Sequence, residues 1–251
     1  MSALVLEGLV KAYGDTVVLN GLDFALEAGD FCTLVGASGC GKSTLLKMLL
    51  GQERPTRGRI LLNGKPLAAE PDPMRGIVYQ RYSVFRHLTV AENVRLGLEL
   101  RDGDPLFGLC FGARRAQIRR QADELLDRVG LTAAAKRYPN QLSGGMQQRL
   151  ALAQAIAREP PLLLLDEPFA ALDPGNRTSM HELLIGLWQS RGMTVVMVTH
   201  DLREAFKLGT RLLVLDTQSE SGAPSVGARI TYDIPLRRER AVPSAQRFAS
   251  N

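Results

Sequence analysis

The stretch GASGCGKST, residues 36–44, holds three glycines and a lysine between two apolar runs. Glycine lets a backbone turn at positive φ and lets another group come close. Gly36, Gly39, Gly41, Lys42 and Ser43 fit the spacing G-x-x-x-x-G-K-[ST]. The strand-like FCTLV precedes them and the helix-like STLLKMLL follows, which is the context a phosphate cradle requires. The N–H groups of Gly36, Ala37, Ser38, Gly39, Cys40 and Gly41 are expected to face inward, where the positive end of the next helix also points. Lys42 can reach the terminal phosphates, the Ser43 hydroxyl can ligate Mg²⁺, and Thr44 closes the loop.

A second site supplies carboxylates. LLLLDEP reads as a strand buried on both faces, running out at Asp166 and Glu167. Asp166 could hold Mg²⁺ through water, and Glu167 could polarise a water for attack on a γ-phosphate. A plain helix cap after a buried strand is the alternative, and the glycine loop upstream weighs against it. A third element, LSGGMQQR (residues 142–149), places Ser143 and two glycines before a helix. That is a second helix N-terminus with exposed N–H groups, hence a second anion site. One nucleotide does not need two such ends from one chain. Two chains facing head to tail would use both.

The surrounding pattern supplies the elements that must hold these residues. Short strands are expected over residues 1–35, and a helix after the loop with Gly51 at its stop. RGRILLNGKPL predicts a hairpin turning at Asn63-Gly64. Helical spacing with many charges marks an insert at about 84–145. Strands and helices then alternate through LLLLDEP, TVVMVTH and RLLVLD, which means an α/β fold with a parallel sheet. ITYDIPL predicts an edge strand, ahead of a basic tail. The run Arg114, Arg115, Arg119, Arg120 reads as a solvated helix face. Leu106, Phe107, Leu109 and Phe111 either pack inside the insert, the favoured reading, or dock on a partner.

Composition narrows the function. A net charge of +5 suits anionic ligands without demanding nucleic acid, and an aromatic content of 6% weakens base stacking further. No apolar run approaches the roughly 18 residues needed to span a bilayer. The opening MSALVLEGLVKAYGD shows no basic n-region with an apolar h-region, so no secretory signal is expected. Cys32, Cys40 and Cys110 are too scattered for a metal knuckle, and free thiols in a reducing cytoplasm are expected.

Taken in order, GASGCGKST, Gln80 in GIVYQR, LSGGMQQR, LLLLDEP, Ala171-Leu172-Asp173 and His200 in VTHD resemble the ATP-binding subunit of an ABC transporter, across about residues 1–215. The resemblance implies a RecA-like P-loop NTPase core with an N-terminal antiparallel β subdomain and an inserted α-helical subdomain. The ATPase domain would cover 1–216, with a loop, edge strand and basic tail over 217–251. It implies ATP and Mg²⁺ as ligands. Tyr13 would stack on adenine. Gln80 would contact Mg²⁺ and the attacking water and report on a membrane partner. Ser143, Gly144 and Gly145 would bind the γ-phosphate held by the opposite subunit. Asp173 would sit at the dimer seam, and His200 would contact the γ-phosphate and hold the closed state.

The resemblance also implies partners: an integral-membrane permease, a second copy or a paralogous ATPase subunit, and indirectly a substrate-binding protein. Such a chain is peripheral, on the cytoplasmic face of the inner membrane, and binds no nucleic acid. LSGGM, HLTVAENV and ITYDIPLRRER lean toward the importer branch for nitrate, sulfonates and taurine. Met146 departs from the glutamine many members carry there and cannot donate its hydrogen bonds. A non-transport ABC ATPase is the rival reading. Repair types carry a long coiled coil between the loop and the acidic strand, and translation types carry two cassettes; this chain shows neither. A small-molecule kinase would not need LSGGMQQR.

Overall fold

The computed structural model describes residues 2–68, 70, 72, 74–80, 84–101, 113–217 and 227–236. The apolar segment 102–112, Cys110 and the basic tail lie outside the described residues.

Two sheets organise the chain. The first runs in the order β2 (Thr16–Glu27), β1 (Ser2–Tyr13), β4 (Arg57–Leu62), β5 (Lys65–Pro66), with every pairing antiparallel. The expected hairpin is the β4–β5 connection. Asn63 and Gly64 both hold positive φ, 50° and 76°, as a two-residue turn matched to strand twist requires. β1 and β2 are longer than the sequence suggests, at 12 residues each. Gly8 and Gly21 both sit at positive φ inside the strands, where the register shifts and the ribbon bends.

The second sheet runs β10 (Arg229–Pro235), β9 (Arg211–Asp216), β3 (Phe31–Gly36), β8 (Thr194–Val198), β7 (Leu162–Asp166), β6 (Arg75–Val78). All its pairings are parallel except β10 on β9, so ITYDIPL is the antiparallel edge the sequence predicts.

Pleating explains why the central strands are apolar at every position. Leu162, Leu164, Val196 and Val198 point to one face, where they meet β1, β2 and helix α1 (Lys42–Leu50). Leu163, Leu165, Val195 and Met197 point to the other face. There they meet α2 (Val90–Arg101), α3 (Ala113–Arg128), α4 (Gly144–Ala157) and α5 (Pro174–Arg191). Truncating one of these fully buried leucines to alanine should cost about 2–5 kcal/mol. Trp188 of α5 is fully buried and meets Phe31 edge-on, with ring centroids 5.6 Å apart.

The helices begin and end on local chemistry. Gly51, in the left-handed region, terminates α1 as expected. Thr89 and Glu92 cap α2 reciprocally, the Thr89 N–H donating to the Glu92 carboxylate and the Glu92 N–H to the Thr89 hydroxyl. Fully buried Asn93 ties the preceding turn down by donating to the Phe85, Leu88 and Thr89 carbonyls. Arg115, Arg119 and Arg120 are exposed along α3, the solvated face the sequence predicts. Asp201 caps the short α6 (Leu202–Leu208). Among the described residues, no helix is long and apolar enough to cross a membrane.

Candidate functional site

Parallel α/β sheets present ligand crevices outside the carboxyl ends of their strands. Three of those ends converge here: β3 leads into the glycine loop, β7 into Asp166-Glu167, and β8 into Thr199-His200.

The glycine loop turns through Gly39 and Gly41, at φ 80° and 95°. Gly41 precedes α1 and no side chain caps that helix. The first bond of the ladder runs from the Leu45 N–H to the Gly41 carbonyl, so the N–H groups of Lys42, Ser43 and Thr44 lie ahead of it. The Lys42 ammonium donates to the carbonyls of Gly36 at 2.7 Å and Ala37 at 2.8 Å. The loop thus holds its own cation on two of its carbonyls, and Lys42 is only 8% exposed.

Glycine at 36 and 41 answers close approach as well as torsion. A Cβ on Gly36 would lie 2.2 Å from the Leu215 carbonyl oxygen. One on Gly41 would lie 2.6 Å from Leu19 and 3.0 Å from Val18, both in β2. The antiparallel sheet therefore presses on the loop.

Ser38, Gly39, Gly41, Lys42, Ser43 and Thr44 line a cavity of about 580 Å³, together with Glu167 and His200. Glu167 holds φ 44°, a left-handed backbone uncommon for a residue with a side chain, and its N–H donates to the Val198 carbonyl at 3.0 Å. Such backbone costs about 1–3 kcal/mol and persists where surrounding structure imposes it. It sets the carboxylate against His200, with Nδ1 to Oε2 at 3.3 Å. Asp166 is half-buried just behind. Burial, then the neighbouring Glu167 charge, push its carboxyl above the ordinary range, while Lys42 pulls it back.

The remaining expected residues fall elsewhere. Gly36 and Cys40 lie beneath the loop, and Ala37 is exposed on it. Tyr13 is 48% exposed at the end of β1. Its hydroxyl bonds Glu53, its ring lies 4.7 Å from the Lys11 ammonium, and the Glu53 contact raises its pKa while Thr44 opposes. Gln80 is exposed beyond β6, whose Val78 pairs with Leu165, one residue before Asp166.

Ser143, Gly144 and Gly145 form the N-terminus of α4, away from the cavity. Ser143 accepts from the Met146 N–H at 3.3 Å, and the Met146 side chain packs on the core. Asp173 caps α5, accepting from the Asn176 N–H at 3.1 Å and its Nδ2 at 2.6 Å, and these bonds hold its pKa low. The Asn176 side chain also lies 3.3 Å from where a Cβ on Gly145 would sit, so the two helix starts abut.

Sequence reasoning missed Val18, which lines the cavity from β2. It carries no local signal, because only the folded sheet brings it to the loop.

The arrangement suits a magnesium nucleotide. Its oxygen donors, the Ser43 hydroxyl and the Asp166 carboxylate, match a hard cation that takes one or two carboxylates and completes its shell with substrate phosphates.

Comparison with known proteins points the same way. A family profile described as ABC transporter matches residues 19–170. The chain is 43% identical over 215 residues to the sulfate/thiosulfate import ATP-binding protein CysA of Mycobacterium tuberculosis, covering 85% of this chain and 58% of that one. The chain therefore spans little more than half the length of that relative. It is 37% identical over 240 residues to the aliphatic sulfonates import ATP-binding protein SsuB of Bacillus licheniformis, covering 94% and 87%. Among solved structures, the dimeric post-hydrolysis state of the ATP-binding cassette MJ0796 bound to ADP and Pi superposes with a TM-score of 0.74 at 30% identity, covering 94% of this chain and all of that one. The relatives named here are ATP-binding proteins for import; the fold is the P-loop NTPase α/β core with an added antiparallel sheet and helical insert, and the chain belongs to the ABC transporter family.

Proposed function

We propose that the chain binds and hydrolyses ATP with Mg²⁺ and uses the cycle to drive a separate membrane permease, in the import direction. The observation that carries this reading is the single cavity in which Lys42, Ser43, Glu167 and His200 meet across three strand ends.

In this reading the N–H groups of the glycine loop and of Lys42, Ser43 and Thr44 cradle the phosphates. The Lys42 ammonium leaves the Gly36 and Ala37 carbonyls to meet the terminal oxygens. Ser43, Gln80 and Asp166 would hold Mg²⁺, directly or through water, and the bound cation would supply neutralisation of the phosphate charge. Glu167 orients and polarises the attacking water. His200 contacts the γ-phosphate, and its Nδ1 contact with Glu167 keeps both side chains at one point of the cavity. Tyr13 offers its ring to adenine from the start of the antiparallel sheet.

Ser143, Gly144 and Gly145 then serve the nucleotide of a second ATPase subunit, a copy of this chain or a paralogue, with Asp173 at the seam. The exposure of Ser143 and Gly144, which do not line their own chain's cavity, supports this assignment, while Gly145 is buried. The names of the relatives support import, and the sulfonate relative is compatible with the branch for nitrate, sulfonates and taurine. A permease, with a binding protein beyond it, places the chain at the cytoplasmic face of the membrane.

The test is Glu167→Gln, which keeps the side chain's shape and removes its charge. ATP affinity should hold within about threefold while phosphate release falls by at least roughly 10²-fold, the range for losing a positioned general base. Near-normal turnover contradicts the assignment.

A further inference from the structure

His181 and Glu204 lie 23 positions apart in the chain, and neither belongs to the motifs read from the sequence. Both are buried, at 5% and 6% exposure. His181 Nε2 lies 3.5 Å from Glu204 Oε1, and neither ring nitrogen has a hydrogen-bond partner within the described residues. A buried imidazole without hydrogen bonds is costly, so a compensating role is expected of it.

The surroundings show what that role is. The His181 ring packs edge-on against Phe169, with centroids 4.7 Å apart, and Phe169 stands two residues after Glu167. Glu204 Oε2 accepts the Thr199 hydroxyl at 2.8 Å, and the Thr199 oxygen accepts the Asp201 N–H at 3.0 Å. His200 is the residue between those two. From α5, one turn before His181, Arg177 approaches Glu204 at 3.7 Å and Asp201 at 3.8 Å. One imidazole therefore touches both limbs of the cavity wall: the strand end that presents Glu167 and, through Glu204, the loop that presents His200.

We propose that His181, acting through Glu204, is a positioning residue that sets the His200 imidazole against the Glu167 carboxylate. This rests on the proposed ATPase reading for its kinetic consequence, but its structural consequence stands alone. Without His181, Glu204 keeps Arg177 and Thr199, the 199–201 loop loses one of its contacts with α5 and rests there on Arg177, and His200 shifts relative to Glu167.

The chain's three histidines, His87, His181 and His200, make imidazole NMR a direct readout on the full-length protein. His181→Leu should delete one set of ring signals, shift the His200 set and leave His87 in place. His181→Gln retains a polar group for Glu204 and should shift His200 less, and Glu204→Gln should shift the same His200 signals. His200 signals at wild-type positions in His181→Leu overturn the proposal. Steady-state ATP hydrolysis gives the second readout. In His181→Leu, kcat should fall about tenfold with KM for ATP within about twofold, as expected when remote packing displaces a catalytic group, and His181→Gln should regain most of it. Equal loss in both variants, or a loss carried by KM, overturns the positioning role. A wild-type protein that hydrolyses no ATP sinks the ATPase reading instead, and the NMR shifts still decide the positioning.

Discussion

The start of α1 and the start of α4 are built from the same materials, glycines ahead of a helix, and are used in opposite ways. At α1 the loop is roofed. Gly41 lies under Leu19 and Val18, Lys42 is nearly buried on the Gly36 and Ala37 carbonyls, and Glu167 and His200 face it across one cavity. At α4 Ser143 and Gly144 are exposed, and one of the first N–H groups is already satisfied by the Ser143 hydroxyl. The first terminus finds Glu167 and His200 within the chain. The second offers N–H groups that nothing in the chain's own cavity uses. On the proposed reading both helix starts receive anions, and the packing around each decides whether one chain or two complete the site.

The comparison can be broken at either end, beginning with the nucleotide-free fold. Gly41→Ala should have the largest effect. It forces a side chain into left-handed backbone and against Leu19, for a cost of about 3 kcal/mol and a fall in Tm of roughly 10 °C, with loss of ATP binding. Thermal melts and a nucleotide titration check this. Ser143→Ala should cost about 1 kcal/mol, the usual worth of an N-cap. If, as proposed, that terminus serves the other subunit, ATP affinity of the monomer should be unchanged while turnover falls. Equal losses of affinity and turnover would place Ser143 in its own chain's site.

Asp166→Asn should have the smallest effect on the fold, and one of opposite sign. The folded state holds the Asp166 proton more tightly than the unfolded chain does, chiefly through burial. Stability from this group is therefore greatest below the ordinary carboxylate range and falls as pH rises through it toward the raised folded value. At neutral pH the charged carboxylate is a net cost to the nucleotide-free fold. Its replacement should raise Tm on the order of 2 °C at pH 7 and not at pH 3, while Mg²⁺-dependent hydrolysis collapses.

What the sequence reveals follows from how local each feature is. The glycine loop, the all-leucine strand with its acidic end and the capped glycine helix are each set within a few residues, so they are legible. So are the Asn63-Gly64 hairpin and the edge strand β10. The sequence predicts short strands over 1–35, whereas β1 and β2 run 12 residues each, because Gly8 and Gly21 let the ribbon shift register and bend without ending it. Val18 and the His181–Glu204 contact are invisible to pattern, since sheet twist and helix packing bring those residues together across the fold. Asp173 carries a local signal, with Pro174 after it, and that signal reports a helix cap whatever else the residue does.

The claim that most of this depends on is that one triphosphate is gripped by the α1 terminus of one chain and the α4 terminus of another. Light scattering of the Glu167→Gln protein measures it directly. With ATP the mass should double, and adding Ser143→Arg should keep it at one chain with ATP still bound. Doubling that survives Ser143→Arg, or no doubling at saturating ATP, contradicts the account.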